Sequence, residues 1–359
     1  MRYIDLGKVK TRRVVPRPRR RWLQFLVVGA VCGAVSVFFL RHTLSLSNLL
    51  HPISAFSRIL HPKEVQSTDG RTNILLLAVD RRETVDPDCG GGGGSLLTDT
   101  IILASLDLSS PELGGAATLI SIPRDLWVET GYFSGKINSA YAAGEKDSGG
   151  SEFTSRVVEG VLGIPVHYSA VVDFAGFKKA IDVLGGVEVD VERPFDDYKY
   201  PIPGEECAEP EELRWEHVHF DAGLQTMGGE RALKYVRSRR AVGPEGSDFA
   251  RSVRQQKIIL AVKDTALSLS LFSDFNRVRE LYQTFGESIV TDLGLAGAER
   301  LLQVAQGIGE VRTEVINGDK GLLVAPENRE RFGNSWVLVP RQGDFSEVRA
   351  YVDELLFGE

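Results

Sequence analysis

Short apolar runs bounded by charged residues mark the strands of a predicted sheet. The run at residues 101–106 follows Asp99, and a second run at residues 116–122 leads directly into Arg124 and Asp125. A glycine-containing segment separates the two runs, which predicts a hairpin or a pair of neighbouring strands. If these strands are antiparallel, the start of one lies beside the end of the other, and a carboxylate meets a guanidinium at one rim of the sheet. Such a rim can hold a metal and a phosphate, and the alternative is an ordinary salt bridge between strand ends.

Apolar and polar positions elsewhere follow strand and helix patterns in turn. The run at residues 73–79 is continuously apolar, as in a central strand covered on both faces, and it ends at Asp80. Further strands are predicted at residues 167–172, 187–191, 311–316 and 336–339, and helices at residues 136–142, 151–162, 173–184, 228–236, 249–269, 275–285, 295–308 and 345–356. Asp173 and Asp248 are the candidate N-caps of two of these helices. This order predicts an α/β fold, a three-layer-like sandwich with a central mixed sheet flanked by helices.

Two segments between the predicted elements are interpreted as loops. Residues 194–216 contain eight acidic residues, which favour a solvated loop over a cation site. The five consecutive glycines at residues 90–94 are not followed by the Lys-Ser/Thr pair of a phosphate-binding P-loop, so we interpret them as a flexible insertion.

The N-terminal region has the pattern of a membrane anchor. Residues 1–21 contain nine Lys or Arg and one acidic residue, and the 19 residues from 22 to 40 carry no charge. An uncharged segment of this length can cross the hydrocarbon core of a bilayer, which is roughly 30 Å thick. The basic residues before it predict a cytoplasmic N-terminus and an extracytoplasmic remainder. A cleaved signal peptide is the alternative, but its basic region would be unusually long and no small-x-small site follows.

The rest of the chain is predicted to form an extracytoplasmic stalk at residues 41–70 and one domain at residues 71–359. No linker divides that domain, although its length would allow two. The three cysteines give no disulfide framework. Cys89 and Cys207 would both lie in loops of an exported domain, where a disulfide can persist, and the sequence does not show whether they meet.

The net charge of −7 conceals an asymmetry along the chain. The basic tail accounts for nine of the 42 Lys and Arg and for one of the 49 Asp and Glu, which leaves −15 for residues 22–359. An acidic outer part argues against nucleic acid as the partner, although it permits a local basic pocket for a phosphorylated substrate.

Arginines gather around one predicted helix–loop–helix segment. Arg237 and Arg239 are two residues apart, so they can converge on one ligand only where the chain leaves the helix and becomes extended. Arg251 and Gln255 are four residues apart and share one face of the next helix. A solvated surface arginine is the usual alternative for any single position, but several arginines near strand and helix ends favour an anion site.

Six motifs that occur in order resemble those of the LytR–CpsA–Psr family of bacterial envelope proteins. They are residues 73–80, Thr98-Asp99-Thr100, Ser121-Ile122-Pro123-Arg124-Asp125, Lys136-Ile137-Asn138, residues 228–239 and residues 248–255. The likeness runs from about residue 73 to residue 260, with a looser match beyond. One such motif is weak evidence, whereas six in the same order are specific.

The resemblance implies a membrane-anchored phosphotransferase whose catalytic domain faces outward. It would move a glycan with its phosphate from a polyprenyl-pyrophosphate carrier to peptidoglycan or another envelope acceptor, with the polyprenyl tail in a hydrophobic tunnel between sheet and helices. By position, Asp80 and Asp99 match the family's Mg²⁺ ligands. The residues that match its pyrophosphate-binding positions are Arg124, Arg237, Arg239, Arg251 and Gln255. The catalytic candidates are Arg124, Asp99, Arg237 and Arg239.

Arginine and magnesium suit this chemistry on physical grounds. The charge of a pyrophosphate must be neutralised before an oxygen nucleophile can approach. Arginine supplies a two-point donor that is always charged, and Mg²⁺ held by one or two carboxylates bridges phosphates. Catalysis is then mainly positioning and electrostatics. Asp125, Asp248 and a metal-bound carboxylate are the candidates for the group that removes the proton of the acceptor.

The sequence departs from the family pattern at two places and leaves two other functions open. Leu97 stands where many relatives have a basic residue, and the glycine insertion lengthens the spacing between Asp80 and Asp99 to 19 positions. The first alternative function is a polyprenyl-pyrophosphate hydrolase that uses water in place of the acceptor. The second is a non-enzymatic protein that binds or assembles lipid-linked glycans.

Overall fold

The structure is a computed structural model that describes residues 65–80, 96–109, 115–145, 149–268, 289–317 and 320–358. These residues belong to one compact unit, Lys63–Glu359. The predicted tail, membrane segment, most of the stalk, the glycine insertion and the helix at 275–285 lie outside the described residues. Within the ranges above, no helix combines the length and apolar character needed to cross a membrane. Cys207 is disulfide-bonded, while Cys89, its candidate partner, lies outside these ranges.

Strands and helices are interspersed along the chain. The strands are β1 (Arg71–Val79), β2 (Thr98–Asp107), β3 (Ala116–Ser121), β4 (Trp127–Glu129), β5 (Ser134–Lys136), β6 (Tyr168–Asp173), β7 (Val187–Val191), β8 (Phe195–Pro201), β9 (Trp215–Phe220), β10 (Gly223–Met227), β11 (Ile289–Thr291), β12 (Glu310–Val315), β13 (Leu323–Val324) and β14 (Val339–Pro340). The helices are α1 (Ala140–Gly144), α2 (Gly150–Leu162), α3 (Phe174–Val183), α4 (Gly229–Arg237), α5 (Asp248–Ser268), α6 (Leu295–Gly307) and α7 (Ser346–Phe357).

A mixed sheet forms the centre of the domain, with strands in the order β11-β6-β1-β2-β3-β12. Strand β1 runs antiparallel to β2 and parallel to β6. Strand β3 runs antiparallel to β2 and parallel to β12. The prediction of an α/β fold with a central mixed sheet and an inner strand at residues 73–79 is therefore confirmed.

Alternating side chains along β1 divide the interior into two layers. Leu75 and Leu77 pack on one face, in a buried cluster with side chains of α2 and α7. Leu76 lies on the other face, beside Ile102 of β2 and Ile259 of α5. Burying one such side chain contributes about 1.5–3 kcal/mol relative to exposure, so both faces of the sheet hold helices in place.

A second buried cluster joins α3, α4 and α5 to the strands β7 to β10. The ring of Phe195 stacks on that of Phe220, with centroids 5.0 Å apart, and Phe220 also contacts Tyr235 of α4 edge-on. Gly229 allows α4 to begin against α3, because a Cβ at this position would lie 2.2 Å from the carbonyl oxygen of Lys178. This cluster fixes the position of α4, which ends at Arg237.

The prediction of a loop over residues 194–216 is wrong at both ends of the segment. Strand β8 occupies its beginning and β9 starts before its end, and the two strands pair antiparallel. Phe195 and Tyr200 are buried, and so is Asp197 between them. The strands form because Phe195 and Tyr200 pack in the second cluster, whereas most of the acidic residues of the segment lie on the exposed connection between the strands.

One of the two predicted helix N-caps is confirmed, and the other is wrong. Asp173 accepts a hydrogen bond from the backbone N–H of Gly176, as expected of an N-cap. Asp248 does not cap α5, because the hydroxyl of Ser247 accepts from the N–H of Ala250 at 3.1 Å and Asp248 is the first helical residue. The strand predicted at 336–339 is confirmed only at its end, where Leu338 makes a single bridge to Leu126 and Val339 begins β14.

Candidate functional site

Arg124 and Asp99 meet at one rim of the central sheet. Strands β2 and β3 pair with Ile102 opposite Ser121, so the residues before the first and after the second lie side by side. Nη1 of Arg124 donates a hydrogen bond to Oδ1 of Asp99 at 2.5 Å. The two side chains are 13% and 26% exposed, so the pair is partly shielded from water.

Asp125, the second acidic residue of this rim, is held by two cations. Its Oδ1 accepts a hydrogen bond from Lys136 at 2.8 Å, and its Oδ2 lies 3.4 Å from Nε of Arg124. Because both carboxylate oxygens are engaged, Asp125 is better suited to orient Arg124 than to accept a proton from a substrate.

Arg237 is placed by the end of α4 and by two aromatic rings. Its Nη2 lies 3.9 Å from Oδ2 of Asp80, and its Nη1 donates to the hydroxyl of Tyr200 at 3.4 Å. The guanidinium carbon lies 4.1 Å from the centre of the Phe174 ring, within the range of a cation–π contact. The rings therefore hold the guanidinium in place without neutralising its charge.

Arg239 follows where the chain leaves the helix, as the two-residue spacing requires. Ser238 has φ −55° and ψ 121°, which ends α4. The backbone N–H groups of Arg239 and Arg240 both donate to Oδ2 of the buried Asp197 at 3.2 Å. The side chain of Arg239 then reaches Asp248, with Nε 3.7 Å from Oδ1.

Arg251 is buried in the first turns of α5 with unused donors. Its Nη2 lies 3.0 Å from Oδ1 of Asp248, but Nε and Nη1 have no hydrogen-bond partner among the described residues. The side chain is 5% exposed. Burial, together with the nearby charge of Arg124, lowers the pKa of Arg251 to about 10, although Asp248 acts in the opposite direction. A buried guanidinium with free donors suits an anionic ligand.

The charges of these residues influence one another strongly. Burial alone would raise the pKa of Asp99, but Arg124, Arg251 and Arg239 outweigh burial, and the pKa is lowered. Burial would lower the pKa of Arg124, but Asp99 and Asp125 reverse that effect and raise it. We refer to these residues as the Arg/Asp cluster: Arg124, Arg237, Arg239, Arg251, Asp80, Asp99, Asp125 and Asp248.

Arg254 supports the cluster from behind and was not among the predicted site residues. Its side chain is buried in α5, where Nε donates to the carbonyl of Tyr235 at 3.0 Å and Nη2 to that of Ser238 at 2.5 Å. Its Nη1 donates to both the backbone and the carboxylate of Glu245 at 2.9 Å. Through these hydrogen bonds, Arg254 connects α5 to the segment that contains Arg237 and Arg239.

A cavity of about 660 Å³ extends from the Arg/Asp cluster between the sheet and the helices α3, α4 and α5. One part of the cavity is lined by Gln255 and by five members of the Arg/Asp cluster, which are Asp99, Arg237, Arg239, Asp248 and Arg251. Apolar side chains make up most of the remaining wall, among them Leu76, Ala170, Val172, Phe174, Phe177, Ile181, Leu233, Ile258 and Val262. The cavity therefore suits an amphiphile with an anionic head and a long apolar tail.

The residues predicted to bind Mg²⁺ lie on neighbouring strands at this rim. Val79 pairs with Thr98, and the N–H of Asp80 donates to the carbonyl of Leu97 at 3.2 Å. In the part of the chain that the structure describes, no group of three or more His, Cys, Asp or Glu could enclose a metal ion. Two carboxylates nevertheless fit Mg²⁺, which usually takes its other ligands from water and substrate phosphates.

Comparison with known proteins gives consistent matches over most of the chain. The model of the LytR_cpsA_psr family matches residues 52–350. TagU of Oceanobacillus iheyensis, a polyisoprenyl-teichoic acid–peptidoglycan teichoic acid transferase, is 27% identical over 341 residues, which cover 90% of this chain and 95% of TagU. TagT of Bacillus subtilis, a transferase of the same name, is 27% identical over 323 residues, which cover 86% of this chain and 88% of TagT.

Solved structures show the same fold. The crystal structure of Bacillus subtilis TagV matches with a TM-score of 0.56 and 26% identity, over 81% of this chain and 98% of TagV. The expected enzyme class, a glycopolymer transferase, agrees with the names of the relatives TagU and TagT.

Proposed function

The chain belongs to the LytR–CpsA–Psr family, and on this premise we propose that it moves a glycan with its phosphate from a polyprenyl-pyrophosphate carrier to peptidoglycan or another envelope acceptor. The names of TagU and TagT support a polyisoprenyl-linked donor and a peptidoglycan acceptor. The observation that carries the proposal is the cavity of about 660 Å³, which is apolar along most of its wall and lined by arginines at one part. That combination fits a polyprenyl chain with a pyrophosphate head.

The arginines of the Arg/Asp cluster contribute to binding of the head group in different ways. Arg251 offers buried donors that have no partner among the described residues, so it contacts a phosphate oxygen without first breaking a hydrogen bond. Arg237 is held by two aromatic rings, and its Nη2 lies 3.9 Å from Oδ2 of Asp80. Arg124 and Arg239 are paired with carboxylates, and they turn toward phosphate as the ligand enters. Gln255, also in the wall, adds a neutral donor.

The transfer step follows from this arrangement. An acceptor hydroxyl attacks the phosphorus that carries the glycan, a new O–P bond forms, and the bond from that phosphorus to the polyprenyl phosphate breaks. The hydroxyl proton passes to a carboxylate of the cluster, and polyprenyl phosphate leaves. The arginines stabilise the charge on the phosphoryl oxygens as it shifts toward the leaving phosphate.

Mg²⁺ is proposed as the cofactor, with Asp80 and Asp99 as its protein ligands. When bound, it would neutralise part of the pyrophosphate charge. The protein is proposed to be a single-pass membrane protein with residues 1–21 in the cytoplasm, residues 22–40 in the bilayer and the catalytic domain outside. A disulfide at Cys207 is consistent with an extracytoplasmic domain.

The test is a transfer assay with the full chain in membranes and a radiolabelled polyprenyl-pyrophosphate glycan. With the acceptor present, the label should move to the acceptor in wild type and in Arg312→Ala, whose exposed side chain pairs with Glu310 away from the cavity. Arg251→Ala should lose transfer. Release of polyprenyl phosphate at the same rate with and without acceptor would indicate the hydrolase, and donor binding without either product would indicate a non-enzymatic binding protein.

A further inference from the structure

A second cavity, of about 230 Å³, begins on the other side of the Arg/Asp cluster. It lies between the ends of β3 and β12, the first turn of α5 and the segment that contains Trp336. Asp99, Asp248, Arg251 and Gln255 line both cavities. The two cavities therefore meet at the residues that are proposed to bind the pyrophosphate.

The wall of the second cavity combines aromatic and hydrogen-bonding side chains. Trp336 and Phe249 contribute aromatic rings that are 43% and 46% exposed. Asn317 and Ser252 contribute an amide and a hydroxyl group. An exposed ring offers a flat apolar face, and polar groups beside it can bind hydroxyls, which is the chemistry that a sugar ring requires. The volume is below the roughly 300–1,000 Å³ of sites that enclose a drug-sized ligand, so it suits one terminal ring.

Arg251 gives an independent sign that a ligand occupies the boundary between the cavities. Its guanidinium is buried and lines both cavities, and Nε and Nη1 lack hydrogen-bond partners among the described residues. Buried donors of this kind are normally satisfied. A phosphoryl oxygen at the boundary would satisfy them and would lie within reach of a group in either cavity.

We infer that the second cavity is the acceptor subsite and that it binds a terminal sugar ring of the acceptor glycan, with one hydroxyl directed at the boundary. This inference rests on the proposed transfer function. The hydroxyl oxygen forms the bond to the phosphorus of the donor, polyprenyl phosphate departs into the first cavity, and Asp248 accepts the proton. Asp248 suits this role better than Asp125 because it lines both cavities, whereas both oxygens of Asp125 are engaged by Lys136 and Arg124.

The experiment compares Trp336→Ala, Trp336→Phe and a matched control, Tyr198→Ala, in the full chain. Tyr198 is also an exposed aromatic residue, but it stacks on His217 and lines neither cavity. Transfer is measured against the concentration of a soluble peptidoglycan-derived oligosaccharide. Trp336→Ala should raise the KM for the oligosaccharide roughly three- to tenfold, with unchanged affinity for a polyprenyl-pyrophosphate analogue. Trp336→Phe should restore most of the loss, and Tyr198→Ala should match wild type.

A direct binding measurement separates this inference from the proposed function. Saturation-transfer NMR with the oligosaccharide and an unreactive donor analogue reports acceptor binding even if no transfer is detected. Weaker saturation in Trp336→Ala than in Tyr198→Ala supports the subsite in either case. Equal saturation in both variants, or an unchanged KM, overturns it. Absence of transfer in wild type with normal saturation would reject the proposed function alone.

Discussion

Nη1 of Arg124 donates to Oδ1 of Asp99 across the rim between β2 and β3, at 2.5 Å. Arg124 is a proposed pyrophosphate contact, and Asp99 is a proposed metal ligand. Each side chain therefore occupies a position that the proposed ligand of the other would take. Binding of pyrophosphate and Mg²⁺ would replace one ion pair by two separate contacts, which links the two events.

Replacement of Arg124 should reduce transfer strongly, while the protein should still fold. Arg124→Ala removes a two-point, charged donor from the cluster, and we expect transfer to fall roughly 10²–10³-fold, as for the loss of one transition-state donor. Its removal leaves Asp99 without its hydrogen bond, so the free energy of unfolding should fall by about 1–3 kcal/mol. Transfer kinetics and urea unfolding measure the two effects.

Arg124→Lys provides the control for charge alone. An ammonium group keeps the positive charge but cannot reproduce the forked geometry of a guanidinium. We expect poor rescue of transfer. If lysine supports transfer as well as arginine, the role of Arg124 is only its charge, and the two-point contact is wrong.

Arg254 should act on donor binding through the position of Arg237 and Arg239. Arg254→Lys removes hydrogen bonds to the carbonyls of Tyr235 and Ser238, so the segment between α4 and α5 loses its attachment. We expect the affinity for a polyprenyl-pyrophosphate analogue to fall and the free energy of unfolding to decrease by about 1–3 kcal/mol. Lys263 lies on the same helix, where it pairs with the neighbouring Asp264, and Lys263→Ala is the matched control. Unchanged donor affinity in Arg254→Lys would show that Arg254 supports the fold alone.

The contrast between Arg124 and Arg254 shows what the sequence can and cannot predict here. The Arg124–Asp99 contact was predictable because charges at the ends of two apolar runs must meet if the runs are antiparallel neighbours. The role of Arg254 was not predictable. Three of its hydrogen-bond acceptors are the backbone carbonyls of Tyr235, Ser238 and Glu245, and every residue has a backbone carbonyl, so the residue types do not indicate these contacts. An arginine three positions after Arg251 was the available clue in the sequence.

The same limit explains the strands that were missed. In β8, Phe195 and Tyr200 pack in the second cluster and Asp197 is also buried, but a register shift between Asp197 and Tyr200 interrupts the simple alternation. An aspartate in a sequence also favours the prediction of a loop, unless the hydrogen-bond partners that allow its burial are known. Oδ1 of Asp197 accepts from the N–H of Lys199, but its Oδ2 accepts from the N–H groups of Arg239 and Arg240, more than 40 positions later. Long-range pairing thus decided both the strand and the position of the arginines.

Acid should weaken the fold in part through Asp99. The pKa of Asp99 is lowered in the folded state, since Arg124, Arg251 and Arg239 outweigh burial. A carboxyl group with a lowered folded pKa stabilises the protein above its unfolded pKa of about 3.9, and that stabilisation is lost as the pH falls through the folded pKa. Asp99→Asn lacks this contribution. The difference in the free energy of unfolding between wild type and Asp99→Asn should therefore become smaller below about pH 4. Urea unfolding at several pH values measures it, and a constant difference would show that Asp99 is not stabilised as a carboxylate.

Magnesium and the lipid should bind cooperatively through Asp99. Two carboxylates leave most of the octahedral shell of Mg²⁺ to water, so the protein alone should bind the metal weakly. With a pyrophosphate as a further ligand, metal and lipid should each improve the affinity of the other by the same factor. Titration of a polyprenyl-pyrophosphate analogue with and without Mg²⁺ measures that factor in wild type and in Asp99→Asn.

Asp99→Asn should reduce this coupling far more than it reduces lipid affinity without metal. Loss of the carboxylate removes a proposed metal ligand but also releases Arg124 from its hydrogen bond, so lipid affinity in the absence of Mg²⁺ should fall little or increase. Asp125→Asn is the matched control. It also removes a carboxylate next to Arg124, but Asp125 is not a proposed metal ligand. It should retain the coupling. Equal coupling in wild type and Asp99→Asn would make Asp99 a structural residue at the strand end, with any metal bound elsewhere.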